Sequence, residues 1–156
     1  MTDRQRARVY AAEDAWGMRL DAARRGAVRA TVAGSSLVLP TELRFGTLAA
    51  AQAYADDAVR REGLPPVLLR ERKGPARAHW EPPGTVALPL PRYGEPWALR
   101  EAVLLHELAH HAAFHRAGVT DHGPSYVTTM LDLVAAAMGE QAAFALRIDY
   151  AEAGVR

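Results

Sequence analysis

The sequence predicts a single α+β domain over residues 1–156, in which a small, mostly antiparallel sheet packs on helices. Apolar residues recur at three- and four-residue steps near both ends of the chain, which is the period of amphipathic helices. Between them lie short apolar and β-branched runs separated by glycine and proline, which are typical of strands. The predicted order is an N-terminal helix over residues 1–26, a sheet region with one helix over residues 27–95, and a central motif-bearing helix with C-terminal helices over residues 96–156.

The N-terminal helix is predicted from an apolar stripe on an otherwise polar segment. Val9, Trp16 and Leu20 fall on one helical face, and arginines supply much of the opposite face. Gly26 is a suitable stop signal. The arginines could contact a phosphate backbone, but a solvated helix face explains them better.

The sheet region is predicted to open with residues 28–39, as either one bulged strand or a short hairpin interrupted by glycine and serine. A helix over residues 48–62 follows, because Thr47 is a good N-cap and the segment has a buried stripe of small residues. Residues 67–72 and 76–81 are predicted to be two strands of a hairpin whose tip is charged.

Residues 85–91 are predicted to form a strand that contains Pro89 and Pro91. Neither proline can donate a backbone hydrogen bond, so we expect an edge strand or the end of a strand. If this is an edge along which substrate pairs, the prolines would restrict that pairing.

The last third of the chain is predicted to be helical. Pro96 suits the first position of a long helix over residues 96–117, and Gly118 suits its C-terminal cap. Two further helices are predicted over residues 124–138 and 140–151 from their apolar periodicity.

Composition limits the classes of partner and site. The chain has 156 residues, of which 49% are hydrophobic and 24% are charged, which is ordinary for a globular protein. Nineteen Lys and Arg against 18 Asp and Glu give a net charge of +1, which offers no electrostatic case for nucleic acid or membrane as an obligatory partner. There is no cysteine, so disulfides and thiolate metal sites are excluded. Oligomeric state is not predicted by any of these features.

The predicted location is the cytoplasm. The first six residues are polar and lack the apolar run of a signal peptide. No segment approaches the roughly 18 apolar residues needed to cross a bilayer, and the apolar run near Leu131 is interrupted by Asp132.

The strongest chemical signal is the H-E-x-x-H pattern formed by His106, Glu107 and His110. Two histidines four residues apart on a helix project from one face, where both can bind one Zn²⁺. Glu107 flanks the pair and could accept a proton from the water that the metal activates. The sequence therefore predicts a zinc site with Glu107 as its general base.

The third ligand must come from beyond Gly118, because a straight helix cannot wrap around its own metal. His122 is the best candidate, since it follows a helix cap and a short turn that let the chain reverse. Asp132 and Glu140 are weaker alternatives on the helices that follow. A set of histidines with an open position is the composition of a catalytic zinc site.

Four other aromatic or imidazole side chains lie near the motif in the sequence or the predicted fold. His111 and His115 are predicted to be non-ligands, because they point away from the face of His106 and His110. Tyr93 and Tyr126 could donate a hydrogen bond to a developing oxyanion, although core packing explains either tyrosine better.

The sequence His106-Glu107-Leu108-Ala109-His110, followed by His122-Gly123-Pro124-Ser125-Tyr126, resembles the SprT-like and minigluzincin-type zincins. That resemblance implies a minimal zincin-like fold with His106, His110 and His122 as zinc ligands and Glu107 as catalytic base. The segment over residues 6–13 also resembles the start of small, uncharacterised metallohydrolases. The chain shows no zinc ribbon or strongly basic tail, so the DNA-bound substrates of SprT-like proteases are not carried over. It also departs from the metzincin pattern, which requires a further glycine and histidine.

These features predict a zinc-dependent metallohydrolase, and more specifically a metallopeptidase with one Zn²⁺ per chain and a peptide or protein as substrate. One alternative is a non-catalytic regulatory or interaction domain on a zincin scaffold, which the two prolines of the possible substrate edge favour. Another is a zinc hydrolase that acts on a non-peptide amide, because the attack chemistry would be the same.

Overall fold

The computed structural model describes residues 2–74, 76–91 and 96–156. This part of the chain is α+β, as predicted, with five α-helices and two small sheets. In chain order the elements are α1 (Arg6–Arg24), β1 (Ala30–Val32), β2 (Ser35–Leu37), α2 (Leu48–Arg61), β3 (Leu68–Arg72), β4 (His79–Glu81), β5 (Thr85–Pro89), α3 (Glu101–Ala117), α4 (Pro124–Met138) and α5 (Glu140–Glu152).

The chain forms two compact units. The first unit contains the residues up to Glu42 together with Asp121–Arg156, and the second unit contains Leu43–Thr120. The organisation of the whole chain as one domain stays a prediction. Within the described residues, no helix combines the length and the apolar character needed to cross a membrane.

The first unit is built mainly from α1, α4 and α5. Val9, Trp16 and Leu20 are fully buried, which confirms the predicted stripe of α1. The Trp16 indole Nε1 donates to the backbone oxygen of Ala142 in α5 at 3.1 Å. The boundary between α4 and α5 is Gly139, whose φ of 96° is a conformation that a side chain would disfavour. Both C-terminal helices therefore have nearly their predicted bounds.

A hairpin in the first unit decides between the two alternatives for residues 28–39. Strands β1 and β2 pair antiparallel, with Ala30 opposite Leu37 and Val32 opposite Ser35. Ala33 and Gly34 form the turn with φ values of 49° and 79°. Two successive positive φ values match the twist of a tight hairpin, so this segment is a hairpin and not a bulged strand.

The second unit contains a mixed sheet in the order β3-β5-β4. Strand β5 pairs parallel with β3 and antiparallel with β4. The predicted hairpin between residues 67–72 and 76–81 is therefore wrong, because β5 lies between those strands. The physical reason is burial: β5 is almost wholly apolar and its last four residues are buried, whereas β3 carries exposed charges.

The two prolines near β5 lie at and just after the end of the strand. The expectation of an edge strand is wrong, because β5 is central, but the expectation of a strand end is correct, because Pro89 is its last residue. Strand β4 pairs with β5 only from Thr85 to Ala87. Pro89 is paired with Arg72 of β3 and lies beyond the pairing with β4, so the central position of β5 is compatible with its proline.

Helix α2 begins as predicted and is fastened to β3. The hydroxyl oxygen of Thr47 accepts from the backbone nitrogen of Ala50 at 3.1 Å, which is the expected N-cap. The amide of Gln52 donates to the backbone oxygen of Val67 at 2.9 Å and accepts from the backbone nitrogen of Leu69 at 2.8 Å. These contacts hold the helix at the start of the sheet.

Helix α3 begins at Glu101 and not at Pro96, which corrects the predicted start. The preceding backbone pairs with another segment instead of coiling: Phe45 donates to the oxygen of Leu99 at 2.8 Å, and Glu101 donates to the oxygen of Leu43 at 3.0 Å. The buried carboxylate of Glu101 also accepts from the hydroxyl of Tyr54 at 2.6 Å. At the other end, Gly118 has a φ of 66° and caps the helix as predicted.

Replacing Gly84 by alanine is expected to destabilise the protein by about 1–3 kcal/mol. A Cβ at this position would lie 3.0 Å from the backbone oxygen of Pro66 and 3.1 Å from Cε1 of His111. Urea denaturation measures the effect. Gly46→Ala is the matched control, because its Cβ would meet nothing within 4 Å. Equal stabilities for the two variants would contradict the close packing at Gly84.

Candidate metal centre

Helix α3 presents His106 and His110 one turn apart, as the motif predicts. Their ring centroids lie 5.1 Å apart with an interplanar angle of 70°. Both side chains are buried. The helical spacing therefore brings two imidazoles side by side in a region that excludes water.

His122 precedes α4 and is held by residues of the first unit. Its Nδ1 lies 2.6 Å from Oδ2 of Asp3, and its backbone nitrogen donates to the same oxygen at 3.2 Å. The rings of Tyr126 and Tyr10 pack against the imidazole, with centroid distances of 4.8 and 5.4 Å. The ring of His122 is therefore enclosed on several sides, with its Nδ1 directed at a carboxylate.

The contact with His122 changes the pKa of the Asp3 carboxyl. Burial acts to raise the pKa of Asp3, but the hydrogen bonds with His122 and the electrostatic attraction to that residue outweigh it, so the pKa is lowered overall. Asp3 is therefore ionised near neutral pH and accepts hydrogen bonds.

His106, His110 and His122 form one buried group that could hold a metal ion. One candidate ligand nitrogen of each residue lies within 4.8 Å of the others. Ligands about 2.0–2.1 Å from a tetrahedral zinc lie about 3.3–3.4 Å from one another. Three imidazole nitrogens are a donor set that suits zinc, which in catalytic sites commonly takes water or substrate as its fourth ligand.

The two alternative third ligands are placed differently. Asp132 and Glu140 are exposed on α4 and α5, and neither belongs to the candidate metal group found among the described residues. The geometry favours His122 over both carboxylates, and its role as a ligand stays a prediction.

Glu107 is buried on α3 beside His106. Its place next to a candidate ligand fits a group that accepts and returns protons. Its role as a general base stays a prediction.

His111 and His115, which were predicted to be non-ligands, both contact backbone oxygens of the second unit. The Nε2 of His111 donates to the backbone oxygen of Pro65 at 2.8 Å, and its Nδ1 accepts from the indole of Trp80 at 3.2 Å. Burial lowers the pKa of His111, which favours the neutral ring that this pattern requires. The Nε2 of His115 lies 2.7 Å from the backbone oxygen of Pro83.

Of the two tyrosines considered as oxyanion donors, only Tyr126 lies within the described residues. Tyr126 is fully buried and its hydroxyl donates to Oε1 of Glu13 at 3.0 Å. The buried hydroxyl of Tyr150 donates to the same oxygen at 2.5 Å. This arrangement supports the core-packing interpretation of Tyr126. Tyr93 lies outside the described residues.

Asp3, Gln5 and Glu13 are site neighbours that sequence reasoning missed. Asp3 is 119 positions from His122, and Glu13 is 113 positions from Tyr126. No local spacing or periodicity links residues so far apart. For Glu13, the resemblance of residues 6–13 to the start of small metallohydrolases was a signal, but it did not indicate a contact with Tyr126. For Asp3, the signal was an acidic residue in an otherwise basic N-terminal segment, which has many explanations.

No family model matches this chain, and no match was found among curated proteins or solved structures. The resemblance carried by the residues around His106 and His122 therefore stays a prediction.

Proposed function

We propose that this chain is a zinc-dependent metallohydrolase, and more specifically a metallopeptidase, on a minimal zincin-like domain. The observation that carries the proposal is the buried group of His106, His110 and His122, with the buried Glu107 adjacent to it in sequence. The set contains three nitrogen donors and one carboxylate, which is the composition of a catalytic zinc site with its base.

Each side chain has a definite task in the proposed reaction. Zinc, when bound, polarises a carbonyl oxygen and lowers the pKa of water to about 7. The three neutral imidazoles hold the metal, and the hydrogen bond at Nδ1 of His122 makes its Nε2 the nitrogen that can coordinate. Glu107 accepts the proton of the attacking water and then transfers it to the leaving amine.

The sheet supports a peptide as the substrate. Strand β4 is at one edge of the sheet, and an edge strand can accept an extended peptide as an additional strand. The prolines that favoured a non-catalytic domain belong to β5 and the residues after it, and β5 is the central strand. They therefore do not restrict pairing along β4.

Removing His122 is expected to remove the metal. Wild-type protein should contain about one equivalent of zinc by elemental analysis, and His122→Ala should retain little, because two histidines alone hold zinc weakly. Asp132→Ala and Glu140→Ala are the matched controls and should keep their zinc. Unchanged zinc in His122→Ala would contradict the proposed ligand set, and loss of zinc in either control would point to that carboxylate as the third ligand.

Digestion of a peptide library, with and without a chelator, tests the reaction itself. A zinc peptidase should cleave peptides only when the chelator is absent, and added zinc should restore cleavage after the chelator is removed. Intact peptides under every condition, from protein that contains zinc, would contradict a peptidase and favour a regulatory domain or a hydrolase of another amide.

A further inference from the structure

The residues that precede α1 contact His122 directly. The Asp3 carboxylate is hydrogen-bonded to both the ring Nδ1 and the backbone nitrogen of His122, through one oxygen. The Nδ1 contact, at 2.6 Å, is slightly shorter than the roughly 2.7–2.9 Å typical of a charge-assisted N–H···O bond to a carboxylate. His122 is buried and Asp3 is mostly shielded, with 25% of its side chain exposed, so solvent competes little for this bond.

We propose that Asp3 is a positioning residue of the metal centre, which fixes the orientation and tautomer of His122 so that Nε2 is presented to the metal. The inference rests on the proposed zinc site. A carboxylate that accepts from Nδ1–H keeps the proton on that nitrogen, which makes the opposite nitrogen the basic one. It also raises the basicity of the ligand and prevents rotation of the ring about its Cβ–Cγ bond.

A second residue of the same segment supports this role. The side-chain amide of Gln5 donates to the backbone oxygen of His122 at 3.1 Å and to that of Arg156 at 2.8 Å. The backbone nitrogen of Arg156 in turn donates to Oε1 of Gln5 at 2.6 Å. Gln5 therefore fastens the backbone of His122 while Asp3 orients its ring, and α1 begins at the next residue.

The α1 residue Tyr10 completes the enclosure, since its ring packs against the imidazole. The packing leaves the ring little freedom to turn away from Asp3. Together these contacts specify one orientation of His122, and they come from a segment that was predicted from sequence to be part of the N-terminal helix.

Zinc affinity tests the inference without reliance on catalysis. Asp3→Ala should bind zinc about 10–100-fold more weakly than wild type in competition with a chromogenic chelator at fixed pH. Asp3→Asn should lie between them, because its amide oxygen can still accept from Nδ1–H but carries no charge. Circular dichroism and thermal unfolding in the presence of chelator establish whether each variant is folded. If Asp3→Ala is unfolded, Asp3→Asn provides the test in its place.

Asp121→Asn is the matched control. Asp121 is next to His122, and its Oδ1 accepts from the backbone nitrogen of Gly123 at 2.8 Å, a bond that asparagine can keep. This variant removes one nearby negative charge without touching the ring of His122. Its zinc affinity should be within about 2-fold of wild type if the hydrogen bond, and not the local charge alone, is responsible.

Nitrogen-15 NMR of the histidine rings gives an independent readout. In the zinc-loaded protein, His122 should carry a proton on Nδ1 and coordinate zinc through Nε2. In Asp3→Ala, that proton should exchange with water faster than in wild type. Three results would overturn this inference and leave the proposed zinc site standing. The first is a zinc affinity of Asp3→Ala equal to that of wild type, and the second is an equal loss of zinc affinity in Asp3→Ala and Asp121→Asn. The third is coordination of zinc through Nδ1 of His122. Failure of wild type to bind zinc would overturn the proposed function, and this inference with it.

Discussion

Replacing Glu107 by glutamine is expected to slow peptide hydrolysis by about 10²–10⁴-fold while the protein keeps about one equivalent of zinc. Glutamine has nearly the shape of glutamate but cannot accept the proton of the attacking water. The three histidines are unchanged, so the metal should stay bound. The measurement is the initial rate of peptide cleavage at saturating zinc, with metal content determined on the same samples.

Glu101→Gln is the matched control for this substitution. Glu101 is also a buried glutamate of α3, but it bonds the backbone nitrogen of Leu43 and the hydroxyl of Tyr54 at the start of the helix. Its replacement should affect stability more than the cleavage rate of the folded protein. A rate for Glu107→Gln equal to that of wild type would exclude Glu107 as the general base.

Replacing Glu13 by alanine is expected to lower the free energy of unfolding by about 2–5 kcal/mol, because two buried phenols lose their acceptor. The hydroxyls of Tyr126 and Tyr150 both donate to Oε1 of Glu13. Burial, and then the nearby carboxylate of Glu13, raise the pKa of Tyr150 well above its usual value, so this phenol stays protonated and needs an acceptor. Urea denaturation of the zinc-free protein measures the loss.

Two comparisons separate the hydrogen bonds from packing. Glu13→Gln keeps an acceptor oxygen and should lose less stability than Glu13→Ala. Combining Glu13→Ala with Tyr126→Phe and Tyr150→Phe should recover part of the loss, because no buried hydroxyl is then left without a partner. If Glu13→Ala were within about 0.5 kcal/mol of wild type, the network would not stabilise the fold.

Elements governed by neighbouring residues were predicted well. Helix α4 has its predicted bounds, α5 is one residue longer than expected, and α2 has the expected cap at Thr47. Gly118 ends α3 where its positive φ is needed. Caps and helical periodicity depend on contacts within a few positions, so the sequence expresses them directly.

Elements governed by distant partners were predicted less well. The position of β5 between β3 and β4 was missed, because strand order depends on which apolar segment is buried most completely. The start of α3 was misplaced at Pro96, because the pairing of residues 43–45 with residues 99–101 is not visible in a local pattern.

The features of the candidate site also separate into those set by neighbouring residues and those set by distant ones. The sequence by itself determined that His106 and His110 lie one turn apart on a helix with Glu107 between them, because helical geometry sets that spacing. Only the tertiary structure decided that His122 belongs to the same buried group. The tertiary structure also decided that Asp3 and Gln5 hold His122, since hydrogen bonds that join residues more than a hundred positions apart form only when the folded backbone brings them together.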